Sequence, residues 1–234
     1  MKIIHRSTSL LLLVVPTLLL SSCETMSISN TGRNPFYRGE LRDIDLLGFP
    51  AGRSVSDDAI RSALARSSGG GVRLTTGDAV MLIQSGAQQP DPALTAAFEK
   101  HLRVSPFSGV PEQDRGTTQR FEPSALRYAA ARAGAKKIVC VWGQLESAND
   151  SVGLDAVTWV PIVGEFIPGR RTVTRISLKG IVMDTVSGAW QSFASQPFVS
   201  SKMTAGITRE LSTAKNIESL KSQAYADLVS RMLR

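Results

Sequence analysis

The sequence predicts a single α/β domain of the three-layer type, with a mixed sheet, flanking helices and a C-terminal helix. Two nearly continuous apolar runs of strand length, residues 78–85 and 138–145, are typical of strands that are covered on both faces. Stretches with helical periodicity separate them. Apolar and polar residues then alternate over residues 172–183, which indicates an antiparallel strand with one face in water.

The helices are indicated by their capping residues and by periodic apolar positions. Ser56 is a suitable N-cap for the first helix, because Asp57 and Asp58 then face the positive end of its dipole. Pro92 and Pro123 open the second and third helices. The C-terminal helix has an apolar face formed by Ile217, Leu220, Ala224, Leu228 and Met232.

The strands that complete the sheet are shorter. Residues 104–107 form a strand between the second and third helices. Residues 184–188 have the composition of a turn, and residues 189–194 return as the partner of the alternating strand. The expected sheet is therefore parallel in its first half and ends in an antiparallel hairpin.

The first 22 residues have the pattern of an export signal. A basic start precedes an apolar run of 11 residues, 10–20, which is too short to span a bilayer because a helical span takes about 20 residues. The run ends in Leu20-Ser21-Ser22-Cys23, which resembles the lipobox of bacterial lipoproteins. This resemblance implies cleavage between Ser22 and Cys23, transfer of a diacylglycerol to the Cys23 thiol, and a further acyl chain such as palmitate on the amine that cleavage frees. A plain signal peptide and an uncleaved anchor are the alternatives.

Acylation of Cys23 would hold the protein at a membrane. At about 0.8 kcal/mol per buried methylene, two or three chains anchor a protein permanently, whereas one chain holds it marginally. Glu24 after the cysteine favours the outer over the inner membrane, by resemblance to enterobacterial sorting, with the domain in the periplasm. We expect residues 1–22 to be the signal peptide, 23–54 a lipidated N-terminus and tether, and 55–234 the α/β domain.

The α/β domain has a second resemblance, in the order of its elements. An alternating half ends in Ala-Arg-x-Gly-Ala at residues 131–135, and the later hairpin turns through Asp-Thr-x-Ser-Gly. This order is similar to the domain shared by the TolB amino-terminal region, curli-secretion lipoproteins and the lipoprotein activators of penicillin-binding proteins. Residues 84–109 also resemble uncharacterised bacterial lipoproteins. The resemblance implies an envelope scaffold or activator.

The composition leaves little room for metal, cofactor or nucleic-acid chemistry. The chain has two histidines and two cysteines; Cys23 is assigned to lipid, and Cys140 falls within a strand as a small buried residue. Removal of the signal lowers the formal net charge from +7 to +5. Because no stacking aromatics accompany the basic pairs, we expect no nucleic acid as a partner.

A serine hydrolase is the alternative to a non-catalytic protein. Ser85 ends a strand at the carboxyl edge of the sheet, where open α/β sheets bind ligands. The sequence lacks Gly-x-Ser-x-Gly, however, and His101 falls beyond the following helix. We therefore expect no catalytic residues.

The most unusual segment is the apolar loop, residues 157–168. Pro161, Gly164 and Pro168 prevent a regular helix or a long central strand there. It either packs over the core or docks on a partner or a bilayer interface, where tryptophan is favoured. The candidate contact residues are Trp159, Val160, Ile162, Val163, Phe166 and Ile167.

Together these patterns predict a lipid-anchored protein of the cell envelope that binds another envelope protein or a cell-wall component. The alternatives are an envelope hydrolase with a site near Ser85 and a subunit of an oligomeric assembly, including a homo-oligomer.

Overall fold

The computed structural model describes residues 24–31, 34–48, 54–67, 71–111, 123–150, 170–204 and 209–233. Their helices are α1 (Asp43–Leu47), α2 (Asp57–Ser67), α3 (Pro92–Glu99), α4 (Pro123–Arg132) and α5 (Arg209–Leu233), with a short 3-10 helix at Ile28–Asn30. Their strands are β1 (Glu24–Ser27), β2 (Ala79–Gln84), β3 (Arg103–Phe107), β4 (Lys137–Asp150), β5 (Arg170–Asp184), β6 (Trp190–Ala194) and β7 (Phe198–Thr204).

All the described strands belong to one mixed sheet. β3, β2 and β4 are neighbours in that order and run parallel. β5 then pairs antiparallel with β4 along its whole length, from Lys137 opposite Asp184 to Asp150 opposite Arg171. The predicted fold class, a single α/β domain with a parallel first half and an antiparallel second half, is confirmed.

Each of the two long strands has two short strands along its outer edge. β2 pairs with β4 from Lys137 to Val141, and β1 pairs with the same edge from Gln144 to Ser147. β6 and β7 divide the outer edge of β5 in the same way.

The sheet has two ends along the strand direction. We call the end at which β1 begins the β1 end, and we call the opposite end, beside the turn at residues 184–188, the turn end.

Helices cover both faces of the sheet. α3 and α5 pack on one face, and α1 and α4 pack on the other. Alternate residues of β2, of the first part of β4 and of the last part of β5 enter the two clusters, so these stretches are nearly continuously apolar. The first cluster includes Val80, Val139, Val182, Phe98 and Leu228, and the second includes Met81, Ile138, Ile181, Leu46 and Leu126.

The predicted helices form, but α2 differs from the expectation in its packing. α4 begins at Pro123 as predicted, and Gly134 follows it with a positive φ of 72°, as a C-terminal glycine stop requires. α2 also forms, yet Ile60 is 55% exposed and Leu64 is 70% exposed. The apolar periodicity of these residues therefore predicted the helix correctly, but the apolar face it indicated is exposed among the described residues.

The segment expected to be a tether is folded in its described parts. β1 starts at Glu24, and Ile28 in the following 3-10 helix is 1% exposed. Ile28 lies over Gly143, where an added Cβ would come within 2.6 Å of Ile28 Cγ2. Further along, the Trp142 indole Nε1 donates to the Leu41 carbonyl oxygen at 2.7 Å. Residues 24–31 and 34–48 therefore pack against the domain instead of forming a flexible spacer.

Ile28→Ala tests this packing. We expect the free energy of unfolding in urea to fall by about 2–4 kcal/mol, because a fully buried side chain would be replaced by a cavity. Val199→Ala, at a valine of β7 that is 58% exposed, is the control and should change it by less than about 0.5 kcal/mol. An effect of Ile28→Ala no larger than that of the control would contradict the packing.

Candidate functional site

The residues predicted to carry lipid and partner contacts lie outside the described part of the chain. This applies to Ser22 and Cys23 and to the loop residues Trp159, Val160, Ile162, Val163, Phe166 and Ile167. Their nearest described neighbours are informative. Glu24 lies opposite Ser147, and Asp150 lies opposite Arg171. The residue that follows Cys23 and the two residues that flank the segment containing the apolar loop, Asp150 and Arg170, therefore all lie at the end of the sheet where β1 begins, the β1 end.

Ser85 follows β2 at the carboxyl edge, as predicted, but its hydroxyl is enclosed. Ser85 is 1% exposed, and its Oγ accepts a hydrogen bond from the Leu41 amide at 2.8 Å. The Ser85 carbonyl oxygen accepts from Ser29 Oγ at 2.5 Å. Among the described residues, no histidine or carboxylate hydrogen-bonds to Ser85. A serine nucleophile needs an adjacent base, and these contacts place none there.

His101 lies at the other end of β2. Its carbonyl oxygen accepts from the Gly77 amide at 2.7 Å, just before β2 begins. His101 and Ser85 therefore lie at opposite ends of β2.

The carboxyl edge instead holds a buried polar cluster, which we call the Asp91 cluster; it consists of Ser29, Thr31, Gln84, Asp91, Lys221 and Tyr225. The Gln84 side chain bridges two segments: Nε2 donates to Ser29 Oγ at 3.1 Å, and Oε1 accepts from the Asp91 amide at 2.6 Å. Asp91 Oδ2 accepts from the Lys221 ammonium at 3.1 Å and from the Tyr225 hydroxyl at 2.8 Å.

Lys221 is the most deeply buried charge of this cluster. Its side chain is only 5% exposed, and it also contacts Glu218 Oε1 at 3.4 Å and Thr31 Oγ1 at 3.1 Å. An ammonium this buried needs a paired carboxylate, because an uncompensated buried charge costs several kcal/mol. The Asp91 cluster therefore ties α5 and the segment after β1 to the start of α3.

Tyr225 completes the cluster as a hydrogen-bond donor. Burial, reinforced by the Asp91 charge and hydrogen bond, raises the pKa of the Tyr225 hydroxyl well above its ordinary value. The phenol therefore remains protonated and donates to Asp91 at neutral pH. Because the protein's own side chains occupy the edge at which α/β sheets present ligands, the cluster is structural.

Sequence reasoning missed this cluster. The periodicity of α5 identified Leu220 and Ala224 as buried, but it gave no signal for the burial of Lys221 between them. The partner that makes its burial possible, Asp91, is 130 residues away in the sequence. No local pattern signals such a pair.

Cys140 behaves as predicted for a small buried residue. It is fully buried among residues of the α1 and α4 face, and it is a free thiol. Burial raises the pKa of the Cys140 thiol well above its ordinary value, with smaller contributions from Glu40 and Asp43. The thiol therefore remains protonated and unreactive in the folded protein.

Two further searches cover the described ranges only. Within them, no three or more histidine, cysteine, aspartate or glutamate side chains converge in a way that could bind a metal ion. No helix in these ranges combines the length and apolar character needed to traverse a bilayer.

The α/β domain and the lipobox-like amino terminus define a class, the bacterial lipoproteins. The sequence profile of the YafT bacterial lipoproteins matches residues 42–234. The chain therefore belongs to the YafT bacterial lipoprotein family, and the predicted resemblance to a bacterial lipoprotein is confirmed. The finer resemblance to the TolB, curli-secretion and penicillin-binding-protein activator domains is not confirmed. No match was found among curated proteins.

Three solved structures show distant similarity. The PelC dodecamer of Paraburkholderia phytofirmans is 13% identical, with 70% of this chain and 94% of that chain covered and a TM-score of 0.31. Lipoprotein GNA1162 of Neisseria meningitidis is 11% identical, with 62% and 99% covered and a TM-score of 0.25. The hypothetical protein CT253 of Chlamydia trachomatis is 8% identical, with 68% and 94% covered and a TM-score of 0.26. TM-scores this low carry no inference about the chain.

Asp91→Ala tests the cluster. We expect the free energy of unfolding to fall by about 3 kcal/mol, because Lys221 would lose its best-buried counter-charge. The double variant Asp91→Ala/Lys221→Met should recover most of this loss, since it removes the orphaned charge as well. Urea unfolding curves of the three proteins give the comparison.

The control for this prediction is Glu146→Ala, which breaks a more exposed ion pair with Arg175 and should cost about 0–1 kcal/mol. A double variant no more stable than Asp91→Ala alone would contradict the assignment of Lys221 as a buried charge that depends on Asp91.

Proposed function

We propose that this envelope lipoprotein is anchored through acyl chains on Cys23 and that its domain binds another envelope protein or a cell-wall component without catalysis, as a scaffold or activator. The observation that carries the proposal is the start of β1 at Glu24. Cys23 immediately precedes Glu24 in the chain, so its acyl chains would be joined directly to the start of the sheet. Membership of the YafT family supports the same anchor.

A binding function is supported by how the carboxyl edge is used. Ser85 is buried and hydrogen-bonded to the Leu41 amide, and the Asp91 cluster fills the neighbouring space. These contacts favour a rigid module over a hydrolase, and no described contact favours the hydrolase alternative.

The apolar loop is proposed as the contact with a partner or with the membrane interface. It connects strand ends that lie at the β1 end, between Asp150 and Arg170. Trp159 and Phe166 are the largest side chains in it, and large aromatic side chains supply much of the binding energy at protein and membrane interfaces.

We further propose that the acyl chains are anchored in the outer membrane, because Glu24 and not aspartate follows Cys23, and that the domain lies in the periplasm.

Mass spectrometry of the protein from its native host tests the anchor. We expect an amino-terminal peptide that begins at Cys23 and carries the added mass of diacylglycerol, and we expect the protein to enter the detergent phase on phase separation. Cys23→Ala should accumulate as the precursor that retains residues 1–22, because the acylated residue is missing. Cys140→Ala is the matched control and should be processed normally. A Cys23 with an unmodified thiol in the wild-type protein would refute the anchor.

Cross-linking in intact envelopes tests the contact. The wild-type protein should give discrete cross-linked species, and Trp159→Ser/Phe166→Ser should reduce their yield several-fold while leaving thermal unfolding unchanged. Val186→Ser replaces an exposed valine at the turn end and should leave the yield unchanged. Unfolding of the loop variant would instead indicate that the loop packs on the core, and an unchanged yield would exclude it as the contact.

A further inference from the structure

We propose that the β1 end of the sheet is the surface that lies against the bilayer and that the turn end points away from it, with the orientation set by the direct junction between Cys23 and β1. This inference rests on the proposed acylation of Cys23. It adds a defined orientation, with a lipid surface as the partner of one end of the domain.

The first step is the length of chain between lipid and sheet. Consecutive Cα atoms are about 3.8 Å apart, and Glu24 is already paired with Ser147 in β4. A flexible linker of 30 residues would have a root-mean-square reach of about 30 Å and would allow the domain to rotate. Here no described residue separates the anchor from the sheet.

The second step is that β1 is held by its pairing with β4 and by the burial of the residues that follow it. Its four residues pair with β4, and the chain immediately after it is buried at Ile28 and Ser29. Ser29 bonds to Gln84 and to the Ser85 carbonyl oxygen, and Thr31 accepts from the buried Lys221. Loss of the pairing between β1 and β4 would free only the four residues 24–27, because the bonds of Ser29 and Thr31 would still hold the segment that follows, so the junction is short.

The third step identifies the residues of the other strands that lie beside Glu24 in the register of the sheet. Ser147 lies opposite Thr174, and Thr174 lies opposite Ser200 in β7. Ser201 is therefore one residue closer to the β1 end, although it is far from Cys23 in the sequence. Three strand spacings separate β1 from β7, which is about 14 Å. One end of four neighbouring strands thus forms the surface nearest to the anchor.

The fourth step is the distance to the other end. Lys137 lies opposite Asp184 at the turn end, and ten residues of β4 separate Lys137 from Ser147. At about 3.3 Å per residue the separation is roughly 33 Å, comparable to the hydrocarbon thickness of a bilayer. Val186 in the turn is 84% exposed and provides a probe position at this end.

Site-specific fluorescence quenching tests the orientation. Ser201→Cys and Val186→Cys, each in a Cys140→Ala background, would be labelled with the same thiol-reactive fluorophore. The full-length acylated proteins would be reconstituted in vesicles of phosphatidylethanolamine and phosphatidylglycerol with a nitroxide on a fraction of the headgroups. We expect the label at Ser201 to lose several-fold more fluorescence than the label at Val186. A matched pair with about ten Gly and Ser residues inserted after Cys23 should lose most of this contrast.

Mass spectrometry of each labelled protein separates the two proposals. Equal quenching of the two labels in protein with acylated Cys23 would overturn the orientation and leave the proposed anchor standing. Contrast that persists in the inserted pair would overturn the role of the direct junction. Protein from the native host that lacks acyl chains would overturn both the anchor and the orientation that rests on it.

Discussion

The ion pair between Asp91 and Lys221 is the interaction on which the arrangement of the domain depends. It joins the start of α3 to the middle of α5, and the hydrogen bonds of Gln84 and Thr31 extend it to the segment that follows β1. A buried ammonium tolerates few alternative packings, because each one that separates it from a carboxylate leaves an uncompensated charge. The pair therefore fixes where the amino-terminal segment sits, and through it where any group attached to Cys23 would emerge.

The same interaction occupies part of the edge where α/β sheets usually bind ligands. In such folds the carboxyl ends of the parallel strands and the following helix starts form the crevice. Here the Asp91 carboxylate, just before α3, accepts hydrogen bonds from Lys221 and Tyr225. The Ser85 hydroxyl accepts one from the Leu41 amide. Polar groups that could act on a substrate are instead used to hold three distant segments together. We therefore expect the proposed binding to use other surfaces.

The sequence predicted the elements whose signals are local and missed those that depend on distant partners. β2 and the first part of β4 are buried on both faces, so their apolar runs identified them, and α4 was bounded by Pro123 and Gly134. β1, β7 and the extension of β4 beyond Leu145 are polar or mixed in sequence, and among the described residues only one face of that half of the sheet joins a hydrophobic cluster. Their strand character comes from pairing with β4 or β5, which no short window contains. Lys221 escaped prediction for the same reason, since its burial depends on Asp91.

A short junction between lipid and sheet changes what the anchor contributes to binding. A domain on a long tether can rotate freely. A partner that binds it must therefore offset the rotational entropy that is lost when one orientation is selected. If the β1 end lies at the bilayer as proposed, most of that entropy is lost before any partner binds. The exposed side chains of Trp190 and of Tyr128 on α4 lie toward the turn end and would then face away from the lipid. Even modest contacts made there would gain from this restriction, because the anchor would already have restricted the orientation.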